Sequence, residues 1–334
     1  MSATSRQYHL ISRPDGMPEP GNFSLERVPL AAPKPGHIMV RNTWLSVDPY
    51  MRGRMNDRPS YIPPFELNRP MDGAAIGVVE ESADDRFAPG DTVSHFAGWR
   101  DRDVIDADSA SPVDPSVPPQ AYLGPLGVPG LAAYAGLLRI GEPKEGETVI
   151  VSAAAGTVGS LVAQIARLKG CRVIGSAGSE DKIRWLREVA GVDAVINYRT
   201  APDMTAALAE AGPEGIDIYF DNLGGDHLEA AIANARDFAR FPICGMISQY
   251  NKAPEGPRNI FGLVERRILM QGLIVMDEFG MMPDLQRDMT GWIADGRITW
   301  QETVREGLES TPDAFLDLFS GGSAGKMLVR LPDA

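Results

Sequence analysis

Residues 149–160 read Val-Ile-Val-Ser-Ala-Ala-Ala-Gly-Thr-Val-Gly-Ser, and Ala154, Gly156 and Gly159 fall on the spacing G-x-G-x-x-G with alanine in the first place. That spacing suits a phosphate anion when a strand precedes it and a helix follows. Here a β-branched run comes before and a helix-forming run after. Gly156 lets backbone approach a pyrophosphate, and Gly159 lets helix and strand pack closely. Thr157, Val158 and Ser160 complete the turn, and the helix start offers N–H groups and partial positive charge to the anion. A tight strand–helix turn that binds nothing would share the spacing.

Both dinucleotides and methyl donors such as S-adenosylmethionine use this kind of turn, and both usually want an acid at the tip of the second strand. That strand ends Gly175-Ser176-Ala177-Gly178-Ser179, with no carboxylate. Instead Lys182 follows, about 20 residues beyond Gly159 as the ribose-recognition position requires. Tyr198 ends the third strand. A cation and hydroxyls there suit a 2′-phosphate, which favours NADPH over NADH. Glu180 and Asp181 are read as first-turn acids behind a Ser179 cap, where they complement the helix dipole. Either could instead serve as a ribose acceptor.

These residues need a scaffold, and the prolines outline it. Residues 1–125 hold 17 of the 27 prolines, and proline is excluded from helix interiors and central strands. The first part is therefore expected to be short strands and loops, with strands at His37–Arg41, Ala74–Glu80 and Thr92-Val93. From about Leu126, strands alternate with helices. Strands are expected at Glu147–Ala154, Cys171–Ser176, Asp193–Tyr198, Ile216–Asp221, Phe241–Ser248 and Leu269–Val275. Helices are expected at Gly156–Lys169, Ser179 to about Ala190, Thr205–Ala211 and Asp226–Phe238. The fold class is α/β, a doubly wound parallel sheet joined to a β-rich domain. Met327–Leu331 reads as a terminal strand that rejoins the first part. The expected domains are 1–125 with 298–334, and 126–297.

Composition narrows the function. Among 334 residues, 32 Lys and Arg against 45 Asp and Glu leave a net charge of −13. That disfavours nucleic acid and anionic membranes as partners. The uncharged run Thr148–Ala166 reads as a buried strand and helix, with no membrane span. The cysteines, Cys171 and Cys244, form no Cys-x-x-Cys pair, so a reducing cytoplasm is expected. Residues 1–125 contain no cysteine, and His9, His37 and His95 have no ligand-like spacing, so no metal site is expected. Loops at 56–71 and 251–262 carry apolar Tyr61, Pro63, Pro64, Phe65, Ile260 and Phe261. They suit either the border of an apolar substrate pocket or a dimer contact, and a homodimer is expected.

Several segments together resemble one family. They are Trp44 to Met55, Val128 to Tyr134, Ala153 to Ser160, Gly178 to Lys182, Asn197-Tyr198, Tyr219 to Gly225, Ile243 to Asn251 and Gly325-Lys326. In order along nearly the whole chain, they resemble the zinc-free medium-chain dehydrogenase/reductases of the leukotriene B4 12-hydroxydehydrogenase, prostaglandin reductase and alkenal double-bond reductase group. The resemblance implies a GroES-like catalytic domain with a Rossmann NADP-binding domain inserted before its last segment. It implies NADPH-dependent reduction of the α,β double bond of enals, enones or oxo-lipids.

The resemblance also implies roles. Tyr250 matches a tyrosine near nicotinamide and carbonyl, and a phenol there can donate to an enolate; packing on the cofactor is the alternative. Tyr50 matches a second aromatic in the substrate pocket. Lys182 and Tyr198 match the 2′-phosphate site, Ser179 is a further cofactor-binding position, and Asn222 matches an asparagine near the cofactor. Cys244, Gly245, Met246, Ile247 and Ser248 match the loop flanking nicotinamide, with Cys244 a small neighbour that lacks a base to make it a nucleophile. Leu273, Ile274 and Val275 match a stretch touching the carboxamide. Two positions depart from the family pattern. Ser323 stands where asparagine is usual, and Ala132 removes a hydroxyl. Quinone reduction, and NADPH binding without turnover, remain rival readings.

Overall fold

The computed structural model describes residues 3–332, which form two compact units. One holds the described residues up to Leu123 and those from Glu302 onward, and the other is Gly124–Gln301.

The chain begins with β1 (Thr4–Leu10) and β2 (Phe23–Pro29), an antiparallel pair. There follow β3 (His37–Ser46), the single turn α1 (Met51–Arg54), β4 (Ala75–Ser82), β5 (Thr92–His95), β6 (Arg102–Asp106) and β7 (Ser111–Pro112). Most of the prolines of this part fall in the loops between these elements, and Pro29 and Pro112 sit at the ends of β2 and β7.

The second unit opens with α2 (Val128–Ala135), which has Pro129 in its first turn. Then β8 (Thr148–Val151), α3 (Thr157–Leu168), β9 (Arg172–Ala177), α4 (Glu180–Glu188) and β10 (Ala194–Asn197) alternate. They continue as α5 (Met204–Ala211), β11 (Ile216–Phe220), α6 (Asp226–Asn234), β12 (Ala235–Ile243), α7 (Gly262–Arg266), β13 (Leu269–Gly272) and α8 (Met282–Ala294). The strands form one parallel sheet in the order β10-β9-β8-β11-β12-β13. Strand order reverses beside β8, and β8 to α3 is the turn with the glycine spacing. Ligands of such sheets bind at that reversal, beyond the carboxyl ends of the strands.

The chain then returns to the first unit with β14 (Glu302–Glu306), α9 (Thr311–Ser320) and β15 (Lys326–Arg330). β15 pairs antiparallel with the end of β3 and parallel with β14. The core of this unit gathers Tyr8, Phe23, Trp99 and Phe315, with the Phe23 and Trp99 rings stacked at 5.6 Å.

Four expectations are corrected. The helix expected over Asp226–Phe238 ends at Asn234, and Ala235–Ile243 is strand. The alanine-rich run favours helix locally, but Ala235 pairs with Ile216 of β11, Phe238 adopts φ +64°, and the chain runs on into residues 240–243 that pair with β13, which outweighs propensity. The strand expected to reach Ser248 stops at Ile243: Cys244 N–H makes a last ladder bond to the Asp221 carbonyl across the Asp221–Ile243 bridge, and Gly245 N–H then turns onto that same carbonyl. The strand expected to reach Val275 stops at Gly272, since Val275–Met281 winds into 3-10 turns. Phe65 is no pocket wall: it lies in the first unit's core beneath the Arg54 guanidinium, 4.0 Å from its ring centre.

Candidate cofactor and catalytic site

The site begins where β8 ends. Ala153 takes φ +47°, a left-handed conformation that costs a non-glycine residue energy and recurs at functional turns. The chain then reverses into α3, whose start at Gly156 carries no capping side chain. A methyl group on Gly159 would fall on the Ala153 carbonyl oxygen and within 2.9 Å of Ala154 Cα. Only glycine lets the helix start this close to the strand, leaving its first amides facing the turn. Gly159→Ala is expected to push α3 off the turn, costing about 1–3 kcal/mol of stability and weakening NADPH protection in a thermal melt. An unchanged melting shift with NADPH would show that the close approach is irrelevant to the cofactor.

At the tips of β9 and β10 a second cluster forms. Ser179 occupies the N-cap position of α4, but its side chain makes no cap hydrogen bond, so the expected cap is positional only. Glu180 accepts a bond from Asn197 Nδ2 at 3.0 Å, and Asp181 pairs with Arg184. Both acids are thus engaged near the helix start. A methyl on Gly178 would meet the Tyr198 phenol oxygen, and Arg199 Nε at 3.1 Å. Burial lowers the Lys182 pKa, and neighbouring Arg199 lowers it further. A half-buried ammonium beside a guanidinium is a pair that a phosphate dianion would relieve. Behind Tyr198, the His227 ring meets it edge-on at 5.6 Å, and burial holds His227 neutral with a pKa of about 4. Arg199 was not singled out from the sequence. Its place directly after the strand-ending tyrosine was the available signal.

The third part lies beyond β11 and β12. Asn222 donates from its backbone to Ser152 Oγ and from Nδ2 to the Ser152 carbonyl, both at 2.8 Å. This ties the β11 end to the phosphate turn. Ile247 N–H donates to Asn222 O, and Ser248 bonds Leu223 O through both its N–H and its hydroxyl. A 3-10 turn over Ile247–Gln249 then delivers Tyr250. Its phenol oxygen sits 3.1 Å from where a methyl on Gly245 would be. Val158, Cys244 and Val275 pack against the buried trio Ala132, Ile140 and Leu273. Residues expected from four distant segments therefore share one apolar patch. Burial, with Asp221 adding to it, pushes the Cys244 thiol up to about 12, so it stays protonated at neutral pH. Met246 packs over Gly224, within 3.1 Å of a methyl placed there.

Tyr50 and Ser323 belong to the first unit. Tyr50 opens α1 and packs against that unit's core. Burial and then Asp48 raise its pKa well above the usual tyrosine value. Asp48 in turn accepts from Lys326 Nζ at 2.6 Å and from Ser46 Oγ. Ser323 stands in the turn before β15, where Gly325 takes φ +65°.

The residues present fit a phosphorylated dinucleotide: an uncapped helix start at a turn tight enough to require glycine, and two cations with a phenol at the neighbouring strand tips. Among the described residues, no group of three or more His, Cys, Asp or Glu side chains is placed to hold a metal ion. Nor is any described helix long and apolar enough to cross a membrane.

Residues 6–113 match a family described as the N-terminal domain of oxidoreductase, and residues 157–291 one described as zinc-binding dehydrogenase. The chain is 41% identical over 335 residues to an NADPH-dependent curcumin reductase of Escherichia coli, covering 98% of this chain and 97% of that protein. It is 40% identical over 335 residues to a 2-alkenal reductase (NADP(+)-dependent) of Nicotiana tabacum, covering 98% of each. It superimposes on CurA from Vibrio vulnificus in complex with NADPH with a TM-score of 0.93 at 42% identity, over 98% of this chain and 100% of that one.

Proposed function

Because the chain belongs to the medium-chain dehydrogenase/reductase family, among its alkenal double-bond reductases, we propose that it reduces the α,β carbon–carbon double bond of enals and enones with NADPH and without a metal. The observation that carries this reading is the seat of Tyr250, a phenol held over Gly245 by a segment packed beside Ala132, Val158, Leu273 and Val275.

In this reading Gly156, Thr157, Val158, Gly159 and Ser160 hold the pyrophosphate. Ser179, Lys182, Tyr198 and Arg199 hold the 2′-phosphate. Asn222, the 244–248 segment, Leu273, Ile274 and Val275 flank the nicotinamide, and Ser323 is a further cofactor contact. NADPH, when bound, supplies a hydride from nicotinamide C4 to the substrate β-carbon. The double-bond electrons then move onto the carbonyl oxygen as an enolate, where Tyr250 donates a hydrogen bond to the developing charge. A proton reaches the α-carbon from the phenol or from water as the enolate collapses to the saturated carbonyl. Tyr50, kept as a neutral phenol, serves as a wall for the substrate chain.

The test is loss of reduced-nicotinamide absorbance with a medium-chain 2-alkenal, run beside a quinone and beside NADH. Consumption of NADPH with saturated aldehyde as product supports the reading. Turnover of quinone alone replaces it with quinone reduction, and binding of NADPH with no turnover leaves a cofactor-binding protein.

The same reading places the protein in the cytoplasm as a homodimer. Both cysteines are free, as a reducing compartment leaves them. β13 is an edge strand hydrogen-bonded only to β12, and around it Phe238, Val264 and Leu269 are 67%, 66% and 53% exposed. An apolar edge of this kind invites pairing with another copy. Leu269→Arg is expected to convert the dimer to monomer on a light-scattering column. A mass that does not change would remove this edge from consideration.

A further inference from the structure

Asp221 is fully buried at the end of β11, and no role assigned above uses its carboxyl group. Its Oδ1 accepts from Tyr219 Oη at 2.8 Å, Leu223 N–H at 2.9 Å and Gly224 N–H at 2.8 Å. Ser152 Oγ lies 3.2 Å away, within donating reach. Its backbone carbonyl receives the N–H groups of Cys244 at 2.8 Å and Gly245 at 3.1 Å, and its own N–H donates to Pro242 O at 2.9 Å. One residue therefore ties together the ends of β8, β11 and β12.

The ties lead to the phenol. The two N–H groups held by the carboxyl set the turn at Leu223-Gly224, and the carbonyls of Asn222 and Leu223 leading into it receive Ile247 and Ser248, three and two residues before Tyr250. The carbonyl sets Gly245, over which the Tyr250 oxygen lies. Both routes from Asp221 to Tyr250 run through backbone within the second unit. The hydroxyl donors Tyr219 and Ser152 are themselves fully buried. Burying a carboxyl group is costly, and burial raises the Asp221 pKa while the bonds from Gly224, Tyr219, Leu223 and Ser152 act against that rise. For the fold alone an apolar residue at a strand end would serve. A hydrogen-bonded acid fixes a geometry that apolar packing would leave loose.

Resting on the reductase reading, the geometry points to Asp221 as a positioning residue that sets the nicotinamide-flanking segment and, through it, the Tyr250 hydroxyl. It does not touch the reacting atoms.

Binding of NADPH is compared with binding of 2′,5′-ADP, which lacks the nicotinamide half. Asp221→Ala is expected to weaken NADPH about 10-fold or more, and 2′,5′-ADP by less than about twofold, because misplacement by an ångström is costly only where the displaced group acts. Asp221→Asn retains an acceptor oxygen for the two N–H groups and should restore most of the NADPH affinity. Equal loss for both ligands, or no loss for either, overturns the proposal. If Asp221→Ala does not fold, Ser152→Ala is read the same way, with a differential loss of about threefold expected from one hydroxyl. In turnover, the kcat losses of Asp221→Ala and Tyr250→Phe should be far from additive, since residues acting as one unit do not add. Additive losses would show that Asp221 does not act through Tyr250. If the unsubstituted protein reduces no 2-alkenal, the reductase reading fails, while the comparison of NADPH with 2′,5′-ADP still decides the role of Asp221.

Discussion

Tyr250→Phe is expected to lower kcat for 2-alkenal reduction about 100-fold, the usual cost of removing one donor aimed at a developing oxyanion. The KM for NADPH should stay within about threefold, because the ring still packs and only the hydroxyl is gone. The site favours a directed hydroxyl over a general polar environment. Gly245 leaves room for the phenol oxygen, which lies 3.1 Å from where a methyl on that glycine would be, and the segment carrying Tyr250 is tied by three bonds to Asn222 and Leu223. A decrease smaller than about threefold would mean that the hydroxyl contributes little oxyanion stabilisation and that Tyr250 only packs on the cofactor.

Removing the cations at the β9 and β10 tips should separate the two nicotinamide cofactors. Lys182→Ala is expected to weaken NADPH by about 1–3 kcal/mol through loss of a charged hydrogen bond, with NADH almost unaffected. Arg199→Ala should act in the same direction, and the double variant should lose about 100-fold or more of its NADPH preference. The two losses should fall short of additivity, because the two like charges repel each other in the free protein and the phosphate relieves that repulsion for both; Arg199 adds to the burial that lowers the Lys182 pKa. The sign with pH follows from that lowering. Lys182 loses its proton before an ordinary lysine would, so NADPH affinity should fall in alkali while NADH affinity stays level. A parallel loss of both cofactors in Lys182→Ala would place the 2′-phosphate elsewhere.

Local chemistry accounts for much of what the amino-acid order alone determines. A strand, a tight glycine turn and a helix must follow one another at 149–168, because backbone close approach and helix propensity are properties of neighbouring residues. The doubly wound sheet follows from alternation, and the loop-rich first part from its prolines. The absence of an acid after Ala177, with Lys182 and Tyr198 nearby, already favours a phosphorylated ribose. These readings depend on contacts between residues near each other in sequence.

What tertiary structure decided depends on contacts between residues far apart. Residues 235–238 read as the end of a helix and instead begin the strand that runs on to Ile243, because Ala235 pairs with β11 and the residues from Arg240 onward lie between β11 and β13. The segment after Ile243 leaves the sheet where Gly245 N–H turns onto the Asp221 carbonyl that has already taken the last ladder bond from Cys244. Arg199 joins Lys182 only through the adjacency of β9 and β10. Phe65 went to the core since Arg54 covers its ring. Asp221 shows the division most clearly. Its type and its neighbours Tyr219 and Asn222 are plain in the sequence, but its value lies in bonding Ser152, Leu223, Gly224, Cys244 and Gly245 together. No periodicity or spacing encodes a hydrogen-bond hub, because its partners are chosen by the order in which strands lie in the sheet.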